Sequence, residues 1–143
     1  MGANLQGLSR QLGLPQQFQV ALGPAQLQTL AVAVPIIPAP GPGLSVIPYF
    51  FLFQFKFGSI VYTNGGTMNI LSQDGNVGLS PVNAFGLITA AGNRIATISG
   101  TTGAGVLPAS FENQAWMLKG GNNLNGDGTL VVTSSFFVAP SVV

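Results

Sequence analysis

The sequence predicts an all-β fold: a single antiparallel β-sandwich or jelly-roll domain with one or two short helices and an N-terminal arm. Three observations carry that reading. Short runs of alternating or β-branched apolar residues recur at intervals of roughly ten residues, the spacing of many short strands. Turn chemistry separates the runs, drawn from 20 Gly and 10 Pro in 143 residues. The composition, 47% hydrophobic and 5% charged, is the reverse of a disordered chain.

Residues 1–16 hold Gly2, Gly7, Gly13 and Pro15 and no sustained period, so they are expected to form an extended arm ahead of a domain spanning 17–143. Two outcomes are open for the arm: a frayed terminus, or a segment that orders on a neighbouring molecule through Leu5, Leu8, Leu12 and Leu14. Gln17–Leu22 alternates Phe18, Val20 and Leu22 with Gln17, Gln19 and Ala21, the pattern of a half-buried strand. Gly23-Pro24 then opens a short helix over Ala25–Leu30, where proline's missing N–H is harmless. Val32–Ile37 reads as a strand, and Pro38-Ala-Pro-Gly-Pro-Gly43 as a connector that cannot pair.

Leu44–Phe57 is the strongest strand. Simple alternation puts Ile47, Tyr49, Phe51, Phe53, Phe55 and Phe57 on one face and Val46, Pro48, Phe50, Leu52, Gln54 and Lys56 on the other. With two apolar faces it is expected either in the centre of a sandwich or at a subunit interface. Gly58–Thr63 continues as β, Asn64-Gly65-Gly66 is a hairpin signal, and Thr67–Ser72 is the next strand. Asp74-Gly75-Asn76 is a tight turn. Ser80-Pro81 predicts a second short helix through Ile88, with serine as N-cap and proline in the first turn. Strands follow at Asn93–Ser99, Gln114–Lys119 and Thr129–Val138, separated by the flexible Gly100–Gly105 and the polar Gly120–Gly128 loops.

Composition also restricts function. The formally charged side chains are Arg10, Lys56, Asp74, Arg94, Glu112, Lys119 and Asp127, in a chain without Cys or His. An ordinary domain has about 25% charged residues. Spread over the roughly 6,900 Å² that a monomer of this mass exposes, these charges make a sparse coat. Without Cys and His there is no disulfide, thiolate metal site, Ser-His-Asp triad or imidazole base. A net charge of +1 with no basic cluster argues against nucleic acid. Pro35, Pro38, Pro40, Pro42 and Pro48 interrupt the most apolar span, so no membrane helix is expected there, and no apolar signal region follows Arg10. The expectation is a soluble protein made in the cytoplasm.

The remaining motifs are weak. Asn123-Leu-Asn125-Gly-Asp127-Gly128 matches the first half of a calcium loop, but the position for the closing glutamate is Ser134, and Asn-Gly and Asp-Gly are ordinary turn formers. Gly100-Thr-Thr-Gly103-Ala-Gly105 lacks the Gly-Lys-Ser/Thr end of a phosphate loop. The acids show no spacing that places two together for general acid/base work. No enzyme, no cofactor and no metal are therefore expected. Lys56 and Arg94, at strand ends, are either solvated or paired with acids at a subunit boundary.

The order of elements resembles small capsid cement (decoration) proteins of tailed bacteriophages. The resemblance lies in Val20–Leu27, in Val34-Pro-Ile-Ile-Pro-Ala-Pro-Gly41 and in the apolar strand ending at Phe57-Gly58. It continues through Tyr62-Thr-Asn-Gly-Gly-Thr67, Asn113–Leu118 and the Gly-Asp-Gly-Thr turn into Leu130–Val138, covering residues 17–140 at the level of pattern. It implies a compact β-domain, often trimeric, on the outer surface of the virion's capsid shell, bound to the major capsid protein and bridging capsomers without catalysis. It also implies an N-terminal arm that reaches neighbouring capsid protein. The chain is more aromatic and less charged than that family's pattern. The interface residues expected on this reading are Leu5, Leu8, Leu12, Leu14, Phe51, Phe53 and Phe55. The alternatives are a phage tail or fibre component, and a carbohydrate-binding sandwich that stacks sugars on Trp116, Tyr49 or Tyr62.

Overall fold

The computed structural model describes residues 13–63, 67–75, 78, 82–83, 87–99, 112–122 and 125–141. Among them are eight strands and one short helix: β1 (Gln16–Leu22), α1 (Pro24–Gln28), β2 (Val34–Ile37), β3 (Leu44–Lys56), β4 (Thr67–Ser72), β5 (Val82–Asn83), β6 (Arg94–Ser99), β7 (Trp116–Lys119) and β8 (Thr129–Pro140). They form two four-stranded sheets with orders β1-β8-β3-β6 and β2-β7-β4-β5. Every pairing is antiparallel. The pairings nest: first with last (β1·β8), then β2·β7, β3·β6 and β4·β5. This is an all-β sandwich, as the strand spacing predicts.

The sheets enclose one apolar core. The first contributes Leu22, Val46, Phe51, Phe53, Phe55, Leu130, Val132, Phe136 and Val138; the second contributes Ile36, Ile37, Met68, Ile70, Trp116 and Leu118. Trp116 is 1% exposed, and its indole N–H donates to the Val46 carbonyl at 3.3 Å, tying the second sheet to the first. Helix α1 closes one end of the core with the buried Leu27. It starts as predicted, with Pro24 in the first turn and the Gly23 N–H donating to the Gln26 side chain at 3.1 Å.

The proline positions follow from what proline lacks. Pro35 lies in β2, an edge strand, where a missing donor leaves no ladder gap. Pro48 lies in β3, which is internal to its sheet, but β6 pairs with β3 only from Phe50 onward. At Pro48 the second flank is therefore free of β6.

Three expectations are corrected. β3 does not alternate simply along its length. Its partner in β8 runs Pro48↔Phe136 and then Phe50↔Ser135, which leaves Tyr49 as an extra, unpaired residue. This β-bulge switches the inward set from Val46 and Pro48 to Phe51, Phe53 and Phe55, and turns Ile47 and Tyr49 outward. The helix predicted from Ser80 is not formed at Val82–Asn83, which pairs instead with Met68 and Thr67 of β4. Local capping signals are worth about 1 kcal/mol, and there the cross-strand pairing wins. Beyond Phe57 the chain leaves the sheet, and only Thr63 makes a bridge. The hairpin tip at 64–66, the Gly100–Gly105 loop and residues 1–12 lie outside the described residues. No helix among the described residues is long and apolar enough to cross a membrane.

Candidate interaction surface

The outward face of the β1-β8-β3-β6 sheet is the candidate site, and its residues follow from register. Starting at one end, Ala21, Val131, Gln54 and Ile95 form a row across the four strands. Gln19, Thr133, Leu52 and Thr97 form the next, and Gln17, Ser135, Phe50 and Ser99 the third. Ile47 and Phe137 pair beyond them, next to the bulged Tyr49. These rows carry no charge. Their polar members are amides and hydroxyls that partly bond one another: Gln19 donates to Thr133 at 3.0 Å and Gln17 to Ser135 at 3.5 Å.

Apolar groups stand proud of this face. Ile95 is 69% exposed, Ile47 42%, Tyr49 37% and Phe50 36%. The Tyr49 and Phe137 rings pack at 4.9 Å between centroids at the end of the face. Covering each of the four exposed side chains is worth about 1 kcal/mol, since complete burial of such a residue is worth about 1.5–3 kcal/mol. At the other end of the face lies an open groove of about 660 Å³, lined by Gln54, Lys56, Asn93, Arg94, Ile95 and Val131.

The predicted interface residues fall into three groups. Phe51, Phe53 and Phe55 are 0%, 0% and 2% exposed, so they are spent on the chain's own core and offer nothing to a partner. Leu14 is 52% exposed, just after Gly13, whose N–H donates to the Val138 carbonyl at 3.0 Å. Leu5, Leu8 and Leu12 lie outside the described residues. Of the predicted stacking aromatics, Trp116 and Tyr62 are each 1% exposed and only Tyr49 reaches the surface. Simple alternation puts Ile47 on the face of Phe51, Phe53 and Phe55, and the bulge turns it to the opposite one, whereas Ile95 lies on β6, whose pairing with β3 is regular. Pro48 was the signal of the bulge, since a proline inside a long strand marks a bulge or an edge.

The acids act as loop fasteners. Asp127 accepts from the Ser59 and Ile60 N–H groups, both at 2.8 Å, and from the Ser59 hydroxyl at 2.6 Å. These bonds, the Ser59 hydroxyl first, hold its carboxyl below the usual aspartate range. Its oxygens are filled by this loop, in the place where a calcium reading put a ligand, and no cluster of metal-ligating acids occurs among the described residues. Beside it the Tyr62 hydroxyl donates to the Gly128 carbonyl at 2.7 Å. Burial, then the charge of Asp127, pushes the Tyr62 hydroxyl up to about 12. The fastening needs glycine: a Cβ on Gly126 would enter the Tyr62 ring, and one on Gly128 would stand 2.5 Å from the Phe55 ring. Glu112 accepts from the Gly43 N–H at 2.9 Å and Asp74 from the Ser72 hydroxyl at 2.7 Å.

No family model and no curated protein matches the sequence. Solved structures do. The chain is similar to one in the capsid asymmetric unit of cyanophage Pam1, with a TM-score of 0.55 and 12% identity over 91% of this chain and 88% of that one. It also matches a chain in the acid-stable capsid of Helicobacter pylori bacteriophage KHP30, at TM-score 0.40 and 8% identity, covering 92% and 93% of the two chains. The first match is a likeness of fold that runs over most of both chains.

Proposed function

We propose that this protein is a structural component of a phage virion, a cement (decoration) protein that binds the outer surface of the major capsid shell and bridges capsomers. The observation that supports this most is the uncharged outer sheet face with its four exposed apolar side chains, on a fold shared with a capsid chain. The strand orders β1-β8-β3-β6 and β2-β7-β4-β5, with nested pairing, support reading the sandwich as a jelly roll, an architecture common in viral shells. Catalysis has no part in this reading, because the chain's acids serve its own loops and it has no Cys or His. The mechanism is non-covalent. Each copy covers modest apolar area, and a lattice of copies multiplies modest contacts into avidity. The expected free state is a homotrimer.

The test uses shells assembled from the major capsid protein of the same phage. Purified protein mixed with them is expected to co-sediment and to raise the temperature or denaturant at which they rupture. Phe50→Ser and Ile95→Ser are expected to weaken co-sedimentation with folding intact. Shells that neither retain the protein nor gain resistance would refute the proposal. Light scattering checks the trimer.

A further inference from the structure

The groove at the Lys56 end of the outer face has a charge pattern that selects its occupant. Lys56 and Arg94 both line it, together with the amide of Gln54 and the apolar Ile95 and Val131. Arg94 is exposed and held by a 3.0 Å bond to the Asn93 carbonyl, with no carboxylate on either cation among the described residues. The whole chain has three side-chain carboxylates. Glu112 is bound to the Gly43 N–H, Asp74 to the Ser72 hydroxyl, and Asp127 to Ser59 and Ile60. Each carboxylate of the chain thus already fastens a loop of its own fold, so a second copy has none without a role to offer the groove's cations.

We infer that this groove receives an acidic and apolar segment of a different protein: a side-chain carboxylate set between Lys56 and Arg94, with a neighbouring apolar residue on Ile95 and Val131. Arginine supplies a fork of donors matched to a carboxylate, and lysine a point charge. Charges at the rim of a contact set orientation and encounter rate. Arg94 stands in register with the inward Phe55 and lines the groove from beside the outer-face rows; with Lys56 it gives one end of a neutral face the charge that defines which way round a partner docks. The inference rests on the proposed function, in that the shell protein is taken to supply the segment.

Two measurements test it. Shell co-sedimentation of the wild type is expected to weaken between 50 and 500 mM salt, since exposed charge pairs are screened. Lys56→Gln with Arg94→Gln is expected to lose on the order of tenfold in affinity and most of that salt dependence. Lys119→Gln, on the opposite sheet, is expected to change neither. The second measurement is an amide-shift titration with the peptide acetyl-Val-Glu-Val-Glu-Val-amide and its Gln counterpart. The Glu peptide is expected to move the Lys56, Arg94 and Ile95 signals, and the Gln peptide to leave them in place. Equal shell binding and salt response in the double variant, with no selective peptide shift, would overturn the inference and leave the shell proposal standing. So would a self-association of the wild type that the double variant abolishes. Failure of the wild type to bind shells at any salt would instead refute the proposed function, and the peptide titration would then decide the groove's chemistry alone.

Discussion

Deleting one residue from a central strand normally turns every side chain on one side of the cut to the opposite face. Deleting Tyr49 should not. Its neighbours already pair with consecutive residues of β8, Pro48 with Phe136 and Phe50 with Ser135. Without Tyr49, Val46 and Pro48 still point inward, Phe50 outward, and Phe51, Phe53 and Phe55 inward. The loss is confined to the Tyr49–Phe137 ring contact, worth about 0.5–1.5 kcal/mol, together with the adjustment of Pro48 to a regular strand. The expected destabilisation is no more than about 2 kcal/mol. Deleting Leu52 is the control. It forces Phe53 and Phe55, now 0% and 2% exposed, onto the outer face, at about 3–5 kcal/mol for each buried ring lost. That sum of about 6 kcal/mol or more is comparable to the whole stability of a small domain, about 5–15 kcal/mol. Urea unfolding followed by the single tryptophan, Trp116, reads both variants. If the Tyr49 deletion costs as much as the Leu52 deletion, the bulge is not what sets the two faces of β3.

Other outcomes can be checked the same way. Ser134 Oγ is buried without a hydrogen-bond partner among the described residues, so Ser134→Ala is expected to stabilise by about 1 kcal/mol in urea melts. Gly126→Ala must displace the buried Tyr62 ring, and overpacking of this kind costs about 1–3 kcal/mol, read as a lower thermal midpoint. The Tyr62 hydroxyl is raised from 10.0 to about 12 in the folded chain. The folded state therefore holds its proton longer than the unfolded state, and stability falls as pH rises between those values; Tyr62→Phe should flatten that fall in alkaline melts. Asp127 is shifted the other way, below 3.8. Its contribution is present above that pH and is lost as pH falls through the lower folded value, and acid titration of Asp127→Asn should show that loss removed.

Much of the fold is legible because β8 and β1 obey simple alternation. Leu130, Val132, Phe136 and Val138 point inward along an unbroken β8, and Leu22 ends the alternating β1. Local pattern is enough there, since β1 and β8 pair with each other without a shift. It fails at Tyr49, where one extra residue inverts the face of everything before it, so Ile47 meets water although it alternates with the buried Phe51, Phe53 and Phe55. It fails again at Val82–Asn83, where a good helix start is overruled by pairing with β4. The outer face was harder to read for the same reason as the bulge. Which of Phe50 and Phe51 meets water depends on registration with a strand far along the chain, and no local window contains that strand.

The nested pairing has a consequence for synthesis. β8 lies between β1 and β3, and its contacts with β1 include the bond between Gln17 and Ser135, 118 positions apart in sequence. As the chain leaves the ribosome, β1 and β3 must wait, inner faces uncovered, for the strand that belongs between them. Pairing so distant in sequence forms slowly, and such waiting strands are open to wrong partners. The same arrangement acts as an inspection. A chain cut short before β8 has no means of completing its first sheet, so the outer face never forms in the register that a neighbour recognises. In the role proposed above, incomplete subunits would be rejected by geometry alone.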